Sequence, residues 1–174
     1  HLTDHERMFR PVQIQNQPGV GEQHVAVTMG PLAASMKDQM PMVTEAVRLM
    51  PCWFFNLITT RVPGADTSAI GKQHKARDFW YADSNALAFF GFELLEGDPA
   101  TALVHPNTVV LTENEAQRLF GRKHDIAGQT VVIDKQAYAV SGLMRDMDGK
   151  SHLEIEGLVA FSSIRNDSRF SYLK

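Results

Sequence analysis

Residues 148–151 read Asp-Gly-Lys-Ser, the ending of a phosphate-binding loop in which backbone N–H groups cradle phosphates and a lysine reaches the terminal ones. Such a loop needs an earlier glycine five positions ahead of Gly149, where Met144 stands. It also needs a helix N-terminus aimed at the anion, and residues 151–161 are strand-like. The run therefore predicts a polar turn and no nucleotide site. Asp-Met-Asp-Gly over 146–149 has the opening rhythm of a calcium loop, but Lys150 stands where a third acid belongs and Gly157 where the bidentate glutamate belongs.

Seven histidines, at 1, 5, 24, 74, 105, 124 and 152, include no His-Glu-x-x-His, and there is no cysteine pair to complete a zinc set. Only His1 and His5 share helical spacing. Cys52 lies between Pro51 and Trp53, and the chain has no Gly-x-Ser-x-Gly elbow, so the thiol reads as packing and not as a nucleophile. Met29, Met36, Met40, Met42 and Met50 crowd one stretch. They suit an adaptable docking surface or a copper face, with core filling the simpler reading. No catalytic, cofactor-binding or metal-ligating residue is expected, and no cofactor.

The stretch 111–129, Leu-Thr-Glu-Asn-Glu-Ala-Gln-Arg-Leu-Phe-Gly-Arg-Lys-His-Asp-Ile-Ala-Gly-Gln, gathers three acids, a histidine and two glycines. Thr112 and Glu115 form Thr-x-x-Glu directly after an apolar run. The Thr hydroxyl is expected to accept from an exposed helical N–H while Glu115 reaches back to the N–H of Thr112. Ala116, Leu119 and Phe120 then share a helical face, and Gly121 can close the helix in the left-handed conformation. These acids and glycines build a helix.

The elements around it follow from periodicity. Met8, Val12 and Ile14 predict a half-buried strand over 6–15, with Pro11 marking an edge or bulge. A loop over 15–24 and a short strand at 25–29 come next. Leu32, Met36 and Met40 predict a helix over 31–40 that Pro41 ends. Residues 42–51 can continue the helix or, equally well, run extended, 52–62 read as a strand, and 63–74 as a long connection rich in turn residues. A strand is expected at 76–82, then a short helix capped by Asp83 or Ser84 and closed by Gly91. Residues 94–107 read as a loop, 108–112 as a strand, 130–146 as two strands joined at Asp134-Lys135-Gln136, and 151–161 as one more strand through Leu153, Ile155 and Leu158.

At 174 residues, 44% hydrophobic and 21% charged, the chain can bury a core of its own. A net charge of -3 with scattered cations excludes a nucleic-acid partner. One cysteine excludes a disulfide scaffold. No run approaches the roughly 20 apolar residues that span a bilayer. Starting at His1 without a signal segment, the chain reads as a processed product or an excised piece.

Phe89, Phe90, Leu-Leu-Glu-Gly-Asp at 94–98, Thr-Ala-Leu at 101–103, Arg-Leu-Phe-Gly at 118–121 and Tyr-Ala-Val-Ser-Gly-Leu at 138–143 follow one another in this order. In that order the run 86–161 resembles the periplasmic core domain of MacB-like and FtsX-like ABC transporter permeases. The segment 6–10 is similar to the part of that family that emerges from the first membrane helix, and 31–49 to its first helix and the continuation through Arg48. Ala127 departs from the family's Pro-Ile-type link, while Gly128 is retained. The resemblance implies an α+β fold of mixed strands with a few short helices, two-lobed, one lobe inserted into the other. Its lobes would be 1–50 with 146–174, membrane-proximal, and 51–145, inserted. It implies a non-catalytic domain on the periplasmic face of the bacterial inner membrane that relays ATPase-driven motion. The implied partners are a cytoplasmic ABC ATPase subunit, a second permease copy and a periplasmic substrate or adaptor protein. A free-standing periplasmic binding or sensor module is the alternative.

The capping pattern carries a first prediction. Thr112→Ala should lower the unfolding free energy by about 1 kcal/mol, read as a shift of the urea midpoint; an unchanged midpoint would place the helix start elsewhere.

Overall fold

The computed structural model describes residues 5–26, 28, 30–60, 73–147, 153–166 and 170. The run 148–151 and most of the expected connection 63–74 lie outside them. The chain divides into two units, His1–Ala46 and Val47–Lys174.

In the first unit, β1 (Gln13–Gln17) and β2 (Gly21–Val25) pair antiparallel, with Gln15 opposite Gln23. The strand expected over 6–15 is not there: His5–Arg7 is a 3₁₀ turn, pairing starts at Gln13, and Val12 and Ile14 are exposed. Pro11 has no N–H to give a ladder, and a two-stranded ribbon has no second layer to bury a face against. The second strand falls at 21–25, in the expected loop except for Val25, and residues 27 and 29 of the strand expected over 25–29 lie outside the described residues. Helix α1 (Leu32–Gln39) matches its expectation, and Met40 leaves the helix with φ −118° just ahead of Pro41.

The second unit holds one mixed sheet. Among the described residues it has nine strands: β3 (Leu49–Pro51), β4 (Leu57–Thr60), β5 (His74–Lys75), β6 (Phe79–Ala82), β7 (Leu94–Gly97), β8 (Thr108–Thr112), β9 (Thr130–Ile133), β10 (Gln136–Met144) and β11 (Gly157–Ala160). Their order is β3-β6-β11-β8-β10-β9-β4-β5, with β7 also on β10. The pairs β8–β10 and β6–β11 are parallel and the others antiparallel. Helices α2 (Ala86–Phe90) and α3 (Glu113–Phe120) complete an α+β unit.

Alternation along the strands sends side chains to two cores. Val109, Leu111, Tyr81 and Val159 join Ala116 and Leu119 of α3, whereas Val110, Leu158, Ala160 and Ala82 join Ala86 and Leu87 of α2. With both faces covered, β8 and β11 read as unbroken apolar runs. The register shift in β10 between Val140 and Gly142 changes the parity, so that Val140 and Leu143 face the same core. Each fully buried Val or Leu in these layers contributes about 1.5–3 kcal/mol.

Several local expectations meet tertiary structure. Residues 94–97 form β7 and not a loop. The apolar run 52–62 is a strand only from Leu57, because Phe55 N donates to Cys52 O at 3.0 Å and turns the chain. Asp83 and Ser84 do not cap α2: Asn85 occupies the N-cap position with no capping bond from its side chain to the helix, while Gly91 closes the helix at φ 66°. The β9–β10 turn at Asp134 (φ 45°) and Lys135 (φ 74°) is the two-residue turn that matches strand twist. The lobe boundary expected from the resemblance runs through this sheet, with Leu49, Met50 and β11 on one side and Pro51 and β6 on the other.

Gly97 and Gly142 stand opposite each other where β7 meets β10. A Cβ on Gly97, whose φ is +92°, would lie 2.3 Å from the carbonyl oxygen of Ser141, and one on Gly142 would lie 2.9 Å from that of Glu96. Gly121, at φ +71°, has open space around its missing Cβ. Gly97→Ala should therefore cost about 3 kcal/mol, combining overpacking with left-handed strain, whereas Gly121→Ala should cost about 1 kcal/mol. Denaturant melts of both variants compare the two, and equal costs would contradict the close approach.

Candidate docking groove and polar clasps

The chain turn at 52–55 and the β5–β6 connection open a surface groove of about 440 Å³. Cys52, Phe55 and Phe79 floor it as buried side chains, and Trp53, 68% exposed, stands on its rim. Arg77 and Asp78 add one charge of each sign, and Trp80 donates its indole N–H to Glu154 O at 2.9 Å. Trp53, Phe54 and Leu57 are exposed apolar residues within a few positions of each other. Apolar floor, aromatic rim and mixed charge suit docking of a peptide or an apolar group.

The residues weighed for chemistry are dispersed. Cys52 is buried in the groove floor. His24 meets Glu22 at 2.9 Å, His124 meets Asp125 at 2.7 Å, and the carbonyl of His105 accepts from Thr108 Oγ1. Met144 is buried at the end of β10, and Met40 and Met42 are exposed. Asp146 accepts from Asn114 N at 2.9 Å and lies 3.6 Å from Lys123 Nζ. Among the described residues no three His, Cys, Asp or Glu converge on a metal position, and no helix is long and apolar enough to cross a membrane.

Three carboxylates do structural work that spacing along the chain did not reveal. Glu96 of β7 accepts from the backbone N–H groups of Asp125, Ile126 and Ala127, holding the link between α3 and β9. Asp83 receives Arg48 through Nε at 2.9 Å and Nη2 at 2.7 Å, and also accepts from Arg48 N. The guanidinium lies 4.0 Å from the centre of the Phe161 ring. That fork joins the chain ahead of β3 to the end of β6.

The third is Glu115, where half of the expected capping box holds. Thr112 Oγ1 accepts from Glu115 N at 3.3 Å. The Glu115 carboxylate does not return to Thr112 N, which donates to Glu156 O at 3.1 Å. A bond to the residue just ahead of β11 has displaced the local one, so Glu115 turns inward to Arg118, with both contacts at 2.6 Å. Glu115 is 1% exposed. Burial pushes its carboxyl up to about 7, against the opposing pull of Arg118. Burial also raises Glu156.

Glu96→Gln weakens a charged acceptor shared by three donors and should cost about 2 kcal/mol. Amide exchange at 125–127 should accelerate in that variant; unchanged protection there would show that the link is held by other contacts.

A family model of the MacB-like periplasmic core domain matches residues 3–170. A solved domain of a Porphyromonas gingivalis protein described as a permease is 18% identical, with TM-score 0.67, over 87% of this chain and 61% of that one. The periplasmic region of MacB from Actinobacillus actinomycetemcomitans is 14% identical, with TM-score 0.58, over 79% of this chain and 56% of that one. The chain thus spans less than two thirds of these solved domains, and at such identities they speak for the fold alone. A search of curated protein sequences finds no significant match. Matched by the family model along nearly its whole length, the chain belongs to the MacB-like periplasmic core domains, the periplasmic part of MacB-like ABC transporter permeases.

Proposed function

We propose that this domain relays ATPase-driven conformational change from the membrane to a substrate or adaptor protein in the periplasm, and performs no chemistry itself. The family match over 3–170 carries the reading. The intact permease would sit in the bacterial inner membrane, pair with a second copy, and engage a cytoplasmic ATPase subunit through its membrane part. A single sheet with both faces packed supports a relay, since a close-packed body passes displacement on with little compliance. The groove beside Trp53, with aromatic side chains in its lining, would offer such a periplasmic partner a surface.

Two variants of the intact permease test this. Deleting residues 5–174 and rejoining the flanks should abolish export or signalling while leaving ATPase-subunit binding intact. Trp53→Ala, at a side chain largely outside the core, should lower export at least tenfold with an unchanged melting temperature. Full activity in the deleted permease would overturn the relay, and turnover of a substrate by the isolated domain would overturn the non-catalytic reading.

A further inference from the structure

The cluster at Glu115 holds more acid than its cation can match. Arg118 gives Nε and Nη2 to Glu115 and shares Nη2 with the carbonyl of Lys75 at 3.0 Å. The same Nη2 lies 3.5 Å from Glu156 Oε2, an ion contact too poorly aligned to count as a hydrogen bond. That oxygen is buried and has no hydrogen-bond partner. One guanidinium thus stands between two carboxyls from different parts of the chain, one of them 1% exposed.

The surroundings do not restore the balance. Glu154 and Asp78 add negative charge near Glu156, and Arg77 offsets one of them. On β5, His74 and Lys75 flank the carbonyl that Arg118 reaches. Of the strands packed on α3, β4 and β8 carry no ionisable side chain and β10 only Tyr138. Burial disfavours the ionised form of both carboxyls first, the Glu156 charge adds to this at Glu115, and a proton on the pair relieves both.

We infer that Glu115, Arg118 and Glu156 form a proton-responsive clasp between α3 and the segment leading into β11. With one proton on the pair, the unpartnered Glu156 oxygen either carries it or faces a neutral neighbour, and α3 is held. With both carboxyls ionised, the buried Glu115 carboxylate is held without the water that would solvate it, and the clasp loosens. The backbone of Glu156 stays in place, because its N–H donates to Asp78 O and its carbonyl accepts from Thr112 N. The change falls on the side chains and on the seating of α3.

The sign is set by linkage. The Glu115 carboxyl moves from its ordinary 4.5 up to about 7 in the folded chain. Between those values the folded state keeps a proton that the unfolded state has released, so this contribution to stability is present below the lower value and is lost as pH rises through the upper one. Urea unfolding of the 174-residue chain from pH 5 to 8 should show the unfolding equilibrium constant rising with pH, relative to Glu115→Gln, by on the order of tenfold per pH unit at the steepest, with a smaller difference from Glu156→Gln. Protection factors of the amides over 113–120, which remove the intrinsic pH dependence of exchange, should fall from pH 6 to 8 in the unsubstituted chain and much less in Glu115→Gln. Carbon-13 titration of the glutamate carboxyls in the unsubstituted protein gives a reading that needs no variant. Two carboxyls at this site already ionised at pH 5, or the same pH profile in the unsubstituted chain and in Glu115→Gln, would overturn the clasp.

Discussion

The backbone of β7 lies against β10 so closely that neither strand can carry a Cβ where they cross. Gly97 and Gly142 meet that requirement, and much of the sheet depends on it. One edge of β10 serves β9 through Gln136–Ala139 and then β7 through Gly142–Met144, while the other edge follows β8 from Ala139 to Met144. The changeover sits at the register shift next to Ser141. The Ser141 hydroxyl donates to the carbonyl of Ala102 at 2.6 Å, which ties the turn between β7 and β8 to the same point. Because β7 is thereby fixed, its Glu96 is placed to hold the link 125–127. Gly128 N then reaches Val140 O at 2.8 Å, and Val140 N reaches Gln129 O at 2.8 Å. The glycines of Leu-Leu-Glu-Gly-Asp and Tyr-Ala-Val-Ser-Gly-Leu, which carry the resemblance to the family, have a steric reason to be glycine.

What the sequence made legible was local. Thr-Val-Val-Leu-Thr, the helix after it and its close at Gly121, the hairpin at Asp134 and the end of α1 before Pro41 all rest on interactions within a few residues. The α+β class was legible through the family motifs. The β7 strand was not, because Gly, Asp and Pro after it give strong turn signals, and only pairing with β10 some 45 residues on makes it a strand. The β1 strand was misplaced for the opposite reason, since its alternation had no buried face behind it.

The candidate site divides in the same way. The absence of any nucleotide, zinc or nucleophile pattern could be argued from spacing alone, and Cys52 was rightly expected to be buried. The groove could not be seen, because its floor joins the turn at 52–55 to Phe79 across a long connection. The second role of Glu115 was hidden too. A capping box is a rule about neighbours, and the donor that Glu115 was to satisfy is taken by Glu156 O, from the segment that leads into β11. Local rules give way where a long-range bond is the better partner for the same group.

Groove and clasp share one short stretch of chain. Arg77 and Asp78 line the groove, and both act on the charge of Glu156. The carbonyl of Lys75 binds Arg118, and the carbonyl of Asp78 binds Glu156 N. Asp78 holds a positive φ of 47°, an uncommon conformation outside glycine, so its position is over-determined by these contacts. A partner that draws Arg77 or Asp78 toward the groove alters the field at Glu156, and linkage then requires that protonation of the cluster alter the affinity of that partner in the same measure. A basic group docking at Asp78 would remove a negative neighbour and favour ionisation, while an acidic one docking at Arg77 would cancel a positive neighbour and favour the proton. The direction of any pH effect on docking would therefore report the charge of whatever occupies the groove.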